Sequence, residues 1–117
     1  MRLDQKIDYV ELPADDFDSV ESFYRSAFGW SFSDYGPEYR GFSDDRLNGG
    51  FQKSGLRSRA DGGAALVVLY ATDLEGTRDR VVASGGEIHK PIFSFPGGRR
   101  FHFLDPHGNE LAVWSDR

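Results

Sequence analysis

Of the chain's three histidines, one sits where it could do chemistry. The run Arg99-Arg100-Phe101-His102-Phe103-Leu104 reads as a strand, and Asn109 to Ser115 reads as another. Asp105-Pro106-His107-Gly108 between them has the residue types of a tight hairpin turn. If that turn pairs 102 with 112, Arg100, His102 and Glu110 share one face of the sheet. Phe101 and Phe103 then take the other face, against a helix. An imidazole titrates near neutrality, so His102 is a candidate acid or base, with Glu110 or Glu11 as its carboxylate partner. A guanidinium grips carboxylate and phosphate in bidentate fashion, so Arg100 points to an anionic ligand group. The alternatives are an edge-strand histidine and a surface arginine, or one paired to Glu110. His107 in the turn and His89 near a strand end read as solvated.

Aromatic side chains supply the apolar part of most small-molecule sites. The chain carries ten Phe, five Tyr and two Trp. Tyr9, Trp30, Phe42, Phe51, Phe95 and Trp114 are candidates to line a pocket, with core packing as the alternative for each. Gly49-Gly50 and Gly97-Gly98 open no helix, so they are not phosphate cradles. They read as bulges or mobile loops. No Gly-x-Ser-x-Gly nucleophile motif occurs.

The elements that position these residues follow from pattern. Lys6 to Leu12 alternates as a strand that Pro13 ends. Asp15 or Asp16 caps a helix whose inward face is Phe17, Val20, Phe23, Tyr24 and Ala27, and Gly29 stops it. Strand candidates follow at Trp30–Tyr35, Glu38–Ser43 and Leu47–Lys53. Leu56 to Gly63 reads as a linker. Ala64 to Ala71 is an apolar strand expected to be buried on both faces. Asp73 caps a helix over Leu74–Ser84 with Leu74, Val81 and Val82 inward, and Gly85-Gly86 ends it. Strands at Glu87–Phe93, Arg99–Leu104 and Asn109–Ser115 complete the chain. Slid by 57 residues, Ala14 falls on Ala71, Asp16 on Asp73, Phe17 on Leu74 and Gly29 on Gly86. That alignment of punctuation reads as an internal duplication.

The 117 residues make one domain by size. With 14 Lys+Arg against 19 Asp+Glu the net charge is −5, which disfavours nucleic acid as a partner. The absence of cysteine removes disulfides, thiolate metal sites and a cysteine nucleophile. The longest apolar run has eight residues, against the roughly 20 of a membrane helix. Met1 to Asp8 shows no apolar signal region, so a cytoplasmic location is the expectation.

The segment Asp16 to Tyr24, with Ala27-Phe28-Gly29-Trp30, resembles the first-helix signature of the vicinal oxygen chelate (VOC) superfamily. That group covers glyoxalase I, bleomycin- and fosfomycin-resistance proteins and extradiol dioxygenases. Phe103-Leu104-Asp105-Pro106-His107-Gly108-Asn109 resembles its second signature, a strand ending in an Asp-Pro-acidic-Gly-Asn turn. The resemblance implies an α+β fold of two βαβββ modules in one chain, with curved mixed sheets forming a cup. Residues 1–117 would be a single VOC domain, with module one at 1–58 and module two at 64–117. It also implies a homodimer and a small-molecule ligand.

Metal-dependent members carry ligands on the first, fourth and last strands, and those positions fall here on Tyr9, Leu66, Ala112 and the stretch Leu47–Lys53. Leu66 and Ala112 cannot coordinate, and the stretch offers only Asn48 and Gln52, so no metal and no cofactor are expected at the family's site. A displaced set of Glu11, His102 and Glu110 is the one alternative. The reading is therefore a metal-independent small-molecule-binding protein. Its ligand would touch Tyr9, Trp30, Phe51, Arg100 and Trp114, with Glu11, His102 and Glu110 in one cup. The alternative is a lyase, isomerase or hydrolase acting on a small carbonyl or carboxylate. There His102 with Glu11 or Glu110 would move the proton.

Overall fold

The computed structural model describes residues 2–117. Strand β1 (Tyr9–Ala14) leads into helix α1 (Phe17–Phe28) and strands β2 (Ser31–Asp34), β3 (Tyr39–Ser43) and β4 (Asn48–Lys53). A short 3-10 turn at Ala60–Gly62 precedes β5 (Val67–Tyr70), helix α2 (Leu74–Ala83), β6 (Glu87–Phe95), β7 (Gly98–Leu104) and β8 (Glu110–Ser115). Each half forms one four-stranded mixed sheet, in the order β1-β4-β3-β2 and β5-β8-β7-β6. The first strand of each half runs parallel to the last strand of that half, and the other pairs are antiparallel. Among the described residues no helix is long and apolar enough to cross a membrane.

Local chemistry sets the helix ends. Asp16 accepts from the Ser19 amide and Asp73 from the Gly76 amide, each satisfying a free donor of the first turn. Gly29 closes α1 at φ 73°, a backbone state that costs glycine little. Aromatic bulk then places α1 between the sheets. The Tyr24 ring stacks 4.4 Å from Trp30 and lies 5.7 Å from Phe51 in the first sheet. Phe23 and Phe28 lie 5.8 and 5.7 Å from Phe103 in the second. One core therefore takes Leu12 and Phe51 from one sheet and Phe101, Phe103, Leu111 and Val113 from the other.

A polar brace ties the two halves. Asp105 is buried, and its carboxylate accepts from the Tyr24 hydroxyl at 2.9 Å, the amides of His107, Gly108 and Asn109, and the Asn109 side chain. Burial is the largest influence on Asp105 and raises its pKa, against these donors. Burial first, then Asp105, raises that of Tyr24. Asn109 also donates to the Pro13 carbonyl at 2.8 Å. The connecting segment is bound to the same turn. Arg57 donates to the His107 carbonyl, Arg59 to that of Gly108, and the Ser58 amide to the Asn109 side chain.

Several expectations change. Pro13 lies inside β1 rather than ending it, because β1 is an edge strand and an edge tolerates a missing amide donor. β5 is buried on one face only. Val68 and Tyr70 are exposed, since β5 is likewise an edge. Val82 is exposed, and Thr77 takes the inward place beside Leu74 and Val81. His107 is buried, with Nδ1 3.2 Å from Asp15 and Nε2 2.7 Å from the Leu56 carbonyl. Gly49 and Gly50 are neither bulge nor loop but sit in the regular β4 ladder.

Candidate functional site

Alternation along the strands leaves each sheet a second face, the reverse of the one that enters the core. On the second sheet the hairpin pairs His102 with Ala112 and Arg100 with Trp114. Phe101 and Phe103 enter the core, so Arg100, His102, Glu110 and Trp114 stand on the outer face. His102 Nδ1 lies 2.8 Å from Glu110, and both side chains are 2% exposed. The other Glu110 oxygen accepts from the Ala60 amide at 3.0 Å, so the connecting segment roofs the pair. Burial pushes Glu110 up, but the His102 bond, the Ala60 amide and the charges of His89 and His102 outweigh it and leave its pKa lowered. His102 Nε2 is buried and has no partner.

The two arginines of the turn strand divide by the same parity. Arg99 forks onto Glu75 of α2 at 2.6 and 3.2 Å and holds that carboxyl down to about 2. Arg100 makes no ion pair among the described residues. Its guanidinium lies 5.3 Å from the Phe93 ring and 5.7 Å from the Phe95 ring, and its buried Nε has no partner. Aromatic faces thus hold the cation in place of a carboxylate.

The first sheet's outer face carries a different chemistry. Tyr9, Asn48, Ser43 and Ser31 form one cross-strand row, and Glu11, Gly50, Gly41 and Ser33 form the next. Glycine at 50 and 41 lets tyrosine rings lie on the sheet. A Cβ at Gly41 would stand 2.8 Å from the Tyr35 ring, and one at Gly50 would collide with Tyr39. The Tyr39 hydroxyl donates to Glu11 at 2.9 Å and lies 2.7 Å from that of Tyr9. Burial first, then its bonds to Tyr9 and Glu11, raises the pKa of the Tyr39 phenol. Beside Tyr9 opens a cleft of about 280 Å³.

The structure brings His102, Glu110, Arg100 and Trp114 together and leaves Glu11 and Tyr9 on the other sheet. Both faces are reverse sides of one shared core, so no single surface of one chain holds all six. Trp30 and Phe51 are corrected to core positions, stacked on and near Tyr24. The donor set does not fit a divalent metal. Of the positions expected to hold one, Tyr9 stands on the first sheet and Ala112 on the second, and the hydrocarbon side chains of Leu66 and Ala112 offer no lone pair. Among the described residues no three His, Asp or Glu side chains converge, so the displaced set is not assembled within the chain. Tyr39, Tyr35 and Ala60 were not singled out by the sequence. Gly50 beside a facing tyrosine was the available signal.

Two four-stranded mixed sheets, each with a crossover helix and a repeated strand order, define a duplicated βαβββ protein with its open faces turned outward. The chain belongs to the Glyoxalase/Bleomycin resistance protein/Dioxygenase superfamily, whose family model matches residues 6–113. The anthracycline biosynthesis protein DauV of Streptomyces sp. (strain C5) is 30% identical over 112 residues, covering 92% of this chain and 40% of that protein. The chain thus spans about two fifths of the length of such curated relatives. The crystal structure of a lactoylglutathione lyase from Agrobacterium tumefaciens is 26% identical, with a TM-score of 0.72 over 95% of this chain and 93% of that one. A family enzyme from Burkholderia phytofirmans PsJN has a TM-score of 0.77 at 16% identity, over 93% and 97%, a likeness of fold.

Proposed function

We propose that the protein is a small-molecule-binding member of its superfamily that works without the usual metal site. The observation that carries this is Arg100. Its guanidinium lies over two phenylalanine rings, with no acidic partner among the described residues, on the outer face of the second sheet. Such a group receives a carboxylate or phosphate, and Trp114 beside it offers an apolar surface. Relatives named for anthracycline biosynthesis and for lactoylglutathione cleavage support an organic small molecule as ligand.

A homodimer completes the site in this reading, setting the Tyr9 face of one chain against the Arg100 face of its partner. Exposed Tyr9, Tyr35, Val68, Tyr70 and Phe93 support it, since monomers seldom leave such faces uncovered. The cysteine-free chain suits a reducing cytoplasm. The test is titration with 2-naphthoate, metal analysis and a light-scattering mass. Wild type is expected to bind as a metal-free dimer, and Arg100→Ala to weaken binding at least about tenfold, the loss of one charge-assisted hydrogen bond. Equal binding by the variant, or a stoichiometric tightly held metal, overturns the proposal. A monomeric mass removes the dimer alone.

The His102–Glu110 pair favours a second reading, proton transfer on a small carbonyl or carboxylate substrate. The Glu110 carboxylate accepts from Nδ1, which leaves Nε2 as the ring nitrogen that would exchange the proton with a substrate. Undiminished turnover of a substrate by His102→Ala would end it.

A further inference from the structure

We infer that the cleft beside Tyr9 is a receptor for the hydroxyl of a neutral, flat aromatic molecule, and that Tyr39 and Glu11 set its selectivity. This deepens the proposed binding role by naming the ligand chemistry of the first sheet. It depends on that role only in taking a small molecule as the ligand, and on neither Arg100 nor the dimer.

The argument is one of hydrogen-bond direction. A phenol has a single proton. The Tyr39 hydroxyl donates to the Glu11 carboxylate, so its proton is committed there. The bond between the two phenols then requires Tyr9 to donate to Tyr39. Tyr9 lines the cleft, whereas Tyr39 and Glu11 do not. With its proton committed, Tyr9 presents only lone pairs to the cleft. A ligand there must supply the proton, as an alcohol or phenol does and an ether or ketone does not.

The rest of the cleft sets the ligand class. Among the described residues of the chain no charged side chain lines it, so its own wall offers an ion no counter-charge. Ser31, Ser43 and Asn48 both donate and accept, and so tolerate either polarity. The Tyr35 ring, lying on Gly41, gives a flat apolar wall. About 280 Å³ accommodates a two-ring molecule. Tyr9 touches the ligand, while Tyr39 is a positioning residue that acts through it.

The probes are 2-naphthol and its methyl ether, 2-methoxynaphthalene, titrated by fluorescence against the full chain. Wild type is expected to prefer 2-naphthol on the order of tenfold, the effect of one unmet hydrogen bond. Tyr39→Phe keeps the ring but frees the Tyr9 proton to serve an acceptor, and the preference is expected to fall within about threefold. Gly50→Ala displaces the Tyr39 hydroxyl and is expected to do the same. A steric effect of the methyl group would persist in both variants, so a preference unchanged in both overturns the inference. So does a wild-type preference under about threefold, or saturation by neither probe below about 1 mM. 2-Naphthoate bound with 2-naphthol not bound, or the reverse, separates the two proposals.

Discussion

Replacing Asp105 by alanine is expected to lower stability by about 3–5 kcal/mol, the largest single effect in the molecule. The carboxylate has five donors, from α1 and from its own turn, and all but the Gly108 amide make buried bonds to it. Alanine would leave a buried phenol and the turn amides unpaired at once. Each such group costs about 1–3 kcal/mol, and the turn can relax to recover part of it. A chain of this size converts that into a melting-temperature fall on the order of 15 °C. Tyr24→Phe removes one bond and a polar atom together, so it is expected to cost only about 1 kcal/mol. Thermal and urea melts of the two variants check this. Equal losses would mean that the turn, rather than the bridge to α1, sets the cost.

Glu110→Ala comes second, at about 3 kcal/mol near neutral pH. It strips the one partner of a buried imidazole and frees the Ala60 amide. Its pH dependence follows from the lowered folded-state pKa of Glu110. The folded chain holds this proton less tightly than the unfolded chain does. The contribution is therefore fully present above the ordinary carboxylate value and disappears as pH falls through the lower folded value. Urea melts are expected to show the gap between wild type and variant narrowing below about pH 4. A gap that stays constant down to pH 3 would show that packing, not the ionised carboxylate, is what the variant loses.

Local signals carried much of this architecture. Asp16, Asp73 and Gly29 mark helix ends because capping needs only residues a turn away. The Asp105–Gly108 turn fixed the 102–112 register, and with it the shared side of Arg100, His102 and Glu110. What escaped was non-local. His107 is buried because Asp15 and Leu56 reach it across the fold, and nothing in its own turn says so. Parity tells which residues share a face within a sheet but not how two sheets face each other. Tyr9 and His102 are expected to share a cup, built within one chain or across a dimer, and within one chain they stand on opposite outer surfaces. The Tyr39 ring over Gly50 likewise depends on a pairing between strands.

The binding of Arg57 and Arg59 to the β7–β8 turn bears on proteolysis. A protease must draw a stretch of backbone out of the fold before it can cut. Trypsin recognises arginine, and these two arginines lie in the segment that joins the halves. Both guanidiniums are engaged, and Ser58 between them is bonded through its amide and its carbonyl. The connector is therefore anchored, although its composition suggests a flexible link. First cuts are expected instead at exposed, unbraced arginines such as Arg46.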